Sequence, residues 1–402
     1  MSEGPLAGLR VLDLTQGVAG PFATKYYADF GADVVKVERP DGGDPARRMG
    51  PFPQDLPHPE TSGMFLHLNT GKRSVTLNLR HATARGILLR LAADADLIVE
   101  SFRPGTLARL GVDADALAAA NPRAVLLQLS NFGQTGPYRD FVADDMLMYA
   151  MGGVMQVTGD PQREPIKLGL YMPLFFAGVV AAGMGLAAVW GARRDGAGER
   201  VDCSIQEMLA ASMDRGAPNL MAYQYSGSLM TTRERAVRMN ALPAGTYPVA
   251  DGYVSISTQI AWWPRLCRTI GRPDLIDDER LASRLYDAEL AEEIDALVYP
   301  WLLSHTKQEA MELAQAEGWP VSALNAMDDV FRDPHFRARN FFTTLDHPHA
   351  GLLEYPGFAL KLHGTPGTLR RAPLLGEHTV GVLCGLGYQR ADVVRLRQLG
   401  VV

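Results

Sequence analysis

The chain has 402 residues, 47% hydrophobic and 21% charged, with a formal net charge of −6. That supplies a folded core and suggests two domains, or one large domain with an insertion. Lys and Arg are scattered along the chain, which argues against a nucleic-acid partner, and Cys203, Cys267 and Cys384 form no CxxC pair and read as free thiols of a reducing cytosol.

The opening segment MSEGPLAGLRVLDL has no basic stretch followed by a long apolar run, so no secretory signal and a cytoplasmic location are expected. Strand signals follow at LRVLDL (9–14), DVVKVE (33–38), DLIVES (96–101) and AVLLQLS (124–130), short runs suited to burial on both faces. Helical patterns lie between them, as in HATARGILLRLAADA and DADALAAAN. The alternation predicts an α/β fold with a parallel, Rossmann-like sheet.

From Leu168 to Ala192 the chain carries no charge over 25 positions, long enough to cross a bilayer. The stretch is rich in Gly and Ala and has Pro173 near its start, so it reads as a buried core helix, with no membrane association expected. The character changes after about Tyr225. TYPVADGYVSIS (246–257) predicts a hairpin turning at Asp251-Gly252, and WWPRLCRTIG, AELAEEIDALVYPWLLS and KQEAMELAQAEG predict helices. These define a small α+β domain, 225–326, after a large domain, 1–224. The tail, 327–402, reads as loop-rich.

Several familiar chemistries lack their motifs. There is no HExxH and no clustered Cys/His pattern, so no metal is expected. There is no GxSxG. GVAGPFATKYYADFG, after the first strand, is neither GxGxxG nor a P-loop, which removes the usual support for NAD or ATP. Basic residues recur instead at strand ends and helix starts: Arg39, Lys72, Arg73, Arg80, Arg103 and Arg109. Each alone reads as a solvated loop charge. Together they suit a phosphate-bearing ligand at the carboxyl ends of a parallel sheet.

VLDLTQGVAGPFATKYYADFGADVVKVERPDGGDPAR, LNTGKRSVTLNL, ESFRPGTLARLG, NFGQTGPY and PLLGEHT resemble, in order and over nearly the whole chain, the family III CoA-transferases. That family includes carnitine and formyl-CoA transferases and α-methylacyl-CoA racemases. The resemblance implies an interlocked-ring dimer, or a dimer of such dimers, with a large domain built from both chain ends. It implies coenzyme A or an acyl-CoA as substrate, a carboxylic acid as second substrate, and no tightly bound cofactor. Carried over, the CoA contacts fall on Gly17, Val18, Ala19, Arg39, Leu77, Arg80, Ser101, Phe102 and Arg109; Ser101 stands where Asn is common.

Family transferases use an Asp that attacks the thioester, forms an aspartyl anhydride and releases the CoA thiolate. The frame for that Asp runs from Gly169 to Gly178, and its position is Leu174, flanked by Pro173 and Phe175, so no adjacent register restores a carboxylate. The racemase pair fares no better: its Asp also falls on Leu174 and its His on Asp144. Three readings follow. The chain is the Asp-lacking subunit of a heteromeric enzyme, as in the succinyl-CoA:benzylsuccinate CoA-transferase type, with a related Asp-bearing chain as partner. Or it works alone, with Asp144 or Asp145 as base or nucleophile. Or it only binds CoA thioesters. Asp145 also reads as the cap of a helix beginning at Met146. Tyr171, Met172, Phe175 and Phe176 hint at an apolar acyl pocket, or at core packing.

Overall fold

The computed structural model describes residues 4–159, 163–211, 216–227, 241–282, 285 and 290–402. Six strands, β1 Arg10–Leu14, β2 Asp33–Glu38, β3 Arg73–Thr76, β4 Leu97–Glu100, β5 Val125–Ser130 and β6 Arg200–Ser204, form one sheet in the order β3-β2-β1-β4-β5-β6. Every neighbouring pair is parallel. The four expected strands supply β1, β2, β4 and β5. β3 and β6 (RSVT and RVDCS) carry no long apolar run, so their sequences give only weak strand signals.

Alternate side chains of these strands feed two cores. Val11, Leu97, Val99, Leu127 and Leu129 join one face. Leu12, Leu14, Val37, Ile98 and Leu126 join the other. The helices of this part are α1 Ala19–Asp29, α2 Gly63–Leu68, α3 Ala82–Ala93, α4 Thr106–Arg109, α5 Ala114–Ala120, α6 Asp145–Met151 and α7 Met172–Asp195. α7 is long and apolar enough to cross a membrane by composition, yet its small residues dock it on α1. A Cβ at Gly178 would lie 2.6 Å from the Ala19 carbonyl oxygen, and one at Gly185 would collide with the Tyr27 hydroxyl. That hydroxyl instead donates to the Ala182 carbonyl at 2.9 Å. Val179, Met184 and Trp190 on the other side of α7 are exposed.

The chain divides into two compact units: Met1–Met155, Lys167–Pro218 and Asn340–Val402 form one, and Gln156–Ile166 and Asn219–Arg339 the other. In the second, β7 Ala241–Val249, β8 Gly252–Thr258 and β9 Val321–Ala323 make an antiparallel sheet. The β7–β8 turn falls one residue before the expected pair, on Ala250-Asp251, with Gly252 already paired to Val249, and the three expected helices are present at Trp263–Thr269, Ala291–Leu303 and Lys307–Glu317. Trp263, Ile294, Val298 and Trp319 are buried in their core.

The tail corrects the loop-rich expectation. β10 Phe342–His347 pairs antiparallel with β11 Gly351–Pro356, and helices follow at Thr379–Gly385 and Arg390–Gln398. The last helix has four charged residues among nine, which hides its pattern, but Val393 and Leu396, three residues apart on one face, are buried with Leu383 in the core of the large sheet.

An ionic cluster lies buried under the carboxyl ends of β1–β3. Lys72 meets Asp13 at 3.0 Å, Lys36 meets Asp44 at 2.8 Å, and Arg47 joins Glu38 at 2.8 Å and Glu60 at 2.7 Å. Lys72 is therefore not a ligand-facing cation; it also donates to Thr24, Asn69 and the Pro21 carbonyl. Burial alone would raise the Asp13 carboxyl, but Lys72, Lys36 and the Thr15 and Thr24 hydroxyls hold it at about 2, below its ordinary 3.8. A depressed acid contributes stability above its unfolded value and loses it as pH falls through the folded one. Asp13 thus accounts for roughly 2 kcal/mol lost between about pH 4 and pH 2. Denaturant titrations across that window should show this loss, and Asp13→Asn should flatten it.

Candidate active site

The strand order reverses between β1 and β4, and in an open parallel sheet that reversal opens a crevice at the carboxyl ends. The loop after β1 enters this crevice held on three successive main-chain groups. Lys36 Nζ donates to the Thr15 carbonyl at 2.9 Å, the Gln16 N–H donates to Ser101 Oγ at 3.0 Å, and the Gly17 N–H donates to Asp44 Oδ1 at 2.9 Å. Gly17 has φ of 76°, a left-handed turn that favours glycine. α1 then starts with no side-chain cap on its first N–H groups.

Two cavities flank the crevice. The first, about 720 Å³, lies between the β1–α1 turn, the ends of β4 and β5, the start of α6 and the start of α7. The second, about 630 Å³, lies over the ends of β2 and β3 and is walled by Arg39, Leu77, Arg80, Phe102 and Thr106. Gln16 and Phe102 line both.

The structure brings most of the sequence candidates into this pair of cavities. Gly17, Val18, Ala19, Ser101 and Phe102 line the first, and Arg39, Leu77, Arg80 and Phe102 the second. Two roles differ from expectation. The Gly17 N–H is spent on Asp44 and the Ser101 hydroxyl on Gln16, so both hold the loop's shape. Arg109 lines neither cavity; it donates to the Thr106 hydroxyl at 2.8 Å. Arg73 pairs with Asp33 at 2.5 Å, toward the amino end of the sheet.

Leu174 lines the first cavity from the first turn of α7. Its neighbours mostly turn away: Phe175 packs edge-on against Phe22 with ring centres 4.7 Å apart, and Phe176 packs on the core. Of the four apolar candidates, Tyr171 lines the cavity, while Met172, Phe175 and Phe176 do not.

The acids of the first cavity are on α6. Asp144 is the cap, accepting the Leu147 N–H at 3.0 Å from extended backbone, and it is exposed. Asp145, expected as the cap, is the first residue inside the helix. Its side chain is drawn inward to Lys167, with Nζ 2.7 Å from Oδ2, and only 7% of the residue is exposed. Sequence reasoning missed Gln16, Arg139 and Lys167 as lining residues. Lys167 had a signal: it is the last charge before the uncharged run.

No group of three or more His, Cys, Asp or Glu able to hold a metal occurs among the described residues. The first cavity offers an apolar wall at Leu174, an accessible carboxylate at Asp144, a buried ion pair, and the cations Arg103 and Arg139. The second offers two guanidinium groups, suited to phosphate oxygens.

The profile of CoA-transferase family III matches residues 6–379. The chain is 33% identical to a succinyl-CoA–D-citramalate CoA-transferase of Chloroflexus aurantiacus, covering 99% of this chain and 98% of the relative. It is 34% identical to the beta subunit of a succinyl-CoA–L-malate CoA-transferase of the same organism, covering 94% and 93%. The crystal structure of a CaiB/BaiF family protein from Brucella suis superposes with a TM-score of 0.84 at 29% identity, covering 96% of this chain and all of that one.

Proposed function

The chain belongs to CoA-transferase family III, and from that premise we propose that it is the non-nucleophile subunit of a heteromeric CoA-transferase, moving CoA between an acyl-CoA such as succinyl-CoA and a carboxylic acid. A related chain supplies the catalytic Asp. The observation that carries this reading is Leu174, a side chain without nucleophilic or acid–base chemistry, at the cavity wall where the family frame puts the carboxylate. The beta subunit among its relatives supports a multi-chain assembly. The exposed apolar side of α7, with Trp190 76% exposed, suits burial against the partner in an interlocked dimer.

In this reading the second cavity takes the adenosine and phosphates of CoA, with Arg39 and Arg80 as anion partners, and the thioester arm crosses Gln16 and Phe102 into the first. Arg80→Ala is expected to weaken CoA about tenfold and pantetheine hardly at all, since pantetheine lacks the nucleotide phosphates. Titration calorimetry with both ligands checks this; equal losses would remove Arg80 from the phosphate site.

A second reading has one observation behind it. Asp144 is exposed and lines the first cavity, with Oδ1 engaged by the Leu147 N–H. It is the better placed of the two acids to act alone, because Asp145 is sequestered by Lys167. The deciding experiment is to assay transfer from succinyl-CoA to a panel of carboxylates by the purified chain, alone and co-expressed with an Asp-bearing relative. Activity only with the relative is expected. Robust transfer by the chain alone, abolished by Asp144→Asn, would overturn the subunit reading.

A further inference from the structure

Six carboxylates are buried among the described residues: Asp13, Asp29, Glu38, Asp44, Glu100 and Asp145. Five of them hold a cation: Asp13 has Lys72, Asp29 has Lys25, Glu38 has Arg47, Asp44 has Lys36 and Asp145 has Lys167. Glu100 has none. It is 3% exposed, and its oxygens accept from neutral groups only: Oε1 from Gln128 Nε2 at 2.9 Å, and Oε2 from the Phe102 N–H at 2.7 Å. A buried acid without a counter-charge is costly, because burial disfavours the charged form. That burial pushes the Glu100 carboxyl above its ordinary range, against the opposing pull of Gln128 and the Phe102 N–H. Packing gives no reason for an acid here. Ile98, two residues earlier on the same face of β4, and its β5 neighbour Leu126 both join an apolar core.

The location of Glu100 supplies the reason. It is the last residue of β4, beside the reversal of strand order, level with Leu14 of β1 and Gln128 of β5. By accepting the Phe102 N–H it closes a turn around Ser101. The Ser101 hydroxyl, carried on that turn, accepts the Gln16 N–H at 3.0 Å. One carboxylate thus sets Phe102 directly and Gln16 through Ser101, and these are the two residues that line both cavities. Gln128 ties the other oxygen to β5, so the turn is anchored to the sheet. A charged acceptor suits the task because it makes the shorter and stronger bond to a backbone N–H.

We propose that Glu100 is a positioning residue for CoA: its carboxylate holds Phe102 and Gln16 at the junction of the two cavities, where the thioester arm passes from one to the other. The inference rests on the transferase reading for the identity of the ligand. Glu100 itself lines neither cavity and touches no ligand. A glutamine in its place retains both bonds: its carbonyl accepts from Phe102, and the Gln128 amide, turned over, accepts from its N–H group. The acceptor facing the Phe102 N–H is what the position requires.

The test is Glu100→Met, which keeps the volume and removes both acceptors. Calorimetry on the full chain is expected to show CoA and pantetheine weakened alike, by about tenfold, because the junction serves both; Arg80→Ala, by contrast, affects CoA alone. Glu100→Gln should bind both ligands within about threefold of the native chain. Gln128→Leu disturbs the same patch of core but leaves the Phe102 bond, so it too should stay within about threefold, which separates positioning from a merely structural role. Hydrogen exchange followed by mass spectrometry reads the turn without any ligand. Peptides spanning 101–105 should exchange about tenfold faster in Glu100→Met, while β4 and β5 keep their protection. If Glu100→Met does not fold, Glu100→Ala, which removes the same acceptors and leaves room for water, takes its place. Native affinity in the folded variant, unchanged exchange at 101–105, or an equal loss in Gln128→Leu would each overturn the positioning role. A native chain that binds neither ligand counts against the transferase reading instead, and the exchange result then still decides whether Glu100 holds the turn.

Discussion

Leu174→Asp is expected to raise the CoA-transfer activity of the isolated chain, which the proposed subunit reading expects to be low without a partner. The position lies in the first turn of α7 and lines the cavity beside the β1–α1 turn. A carboxylate there would face the thioester arm and sit near the unpaired N–H groups that begin the helix, an environment that favours the anion. Loss of a covalent nucleophile costs on the order of 10⁶ in kcat in a well-studied protease, and the oxyanion and binding contributions survive it. Restoring the nucleophile in a site that has lacked it should recover part of that, a gain of about 10² or more over the native chain. Transfer from succinyl-CoA is one readout. A covalent adduct located on residue 174 by mass spectrometry after mixing with acyl-CoA is the other. A folded variant that shows neither would reject both the register and the role assigned to this position.

The second large effect is on stability. Lys72→Met is expected to lower unfolding free energy by about 3–5 kcal/mol, because it leaves the Asp13 carboxylate buried without its cation. Lys72 has essentially no exposed side chain and spends its donors on Asp13, Thr24, Asn69 and the Pro21 carbonyl. Burial pushes its ammonium down to about 8, against the pull of Asp13 in the opposite direction, so the charge is present at neutral pH and its removal is felt. Arg80→Ala, by contrast, alters an exposed side chain and should change stability by less than about 0.5 kcal/mol. Denaturant unfolding of both variants makes the comparison. If Lys72→Met unfolds like the native chain and binds CoA weakly, Lys72 belongs to the ligand site and the core assignment is wrong.

Lys72 also shows where the sequence was legible and where it was not. Arg39, Arg80 and Lys72 look alike in the chain, each a base beside a short strand. Two line the second cavity and one lies under the sheet ends. Nothing local separates them, because the counter-charge of Lys72 comes from Asp13, 59 residues earlier. The same holds for Asp144 and Asp145. Their adjacency is visible, but which one caps α6 depends on Lys167, brought in from 22 residues away. The strands with long apolar runs were readable from periodicity, whereas β3 hides its pattern in buried polar residues, Ser74 and Thr76, and β6 and the terminal helix in charged residues that face solvent.

The amino-acid order by itself made legible the parallel α/β fold, the hairpin near Asp251-Gly252 and the long apolar helix, because periodicity and turn chemistry are local properties of a chain, and the family resemblance put Leu174 where a carboxylate is expected. Only the tertiary structure decided which charges are core and which line a cavity, that Gly17 and Ser101 brace the loop carrying Gln16, and that Asp145 and Lys167 line the same cavity as Leu174. Those assignments depend on burial and on partners far apart in sequence, and both come into being only when the sheet closes over them.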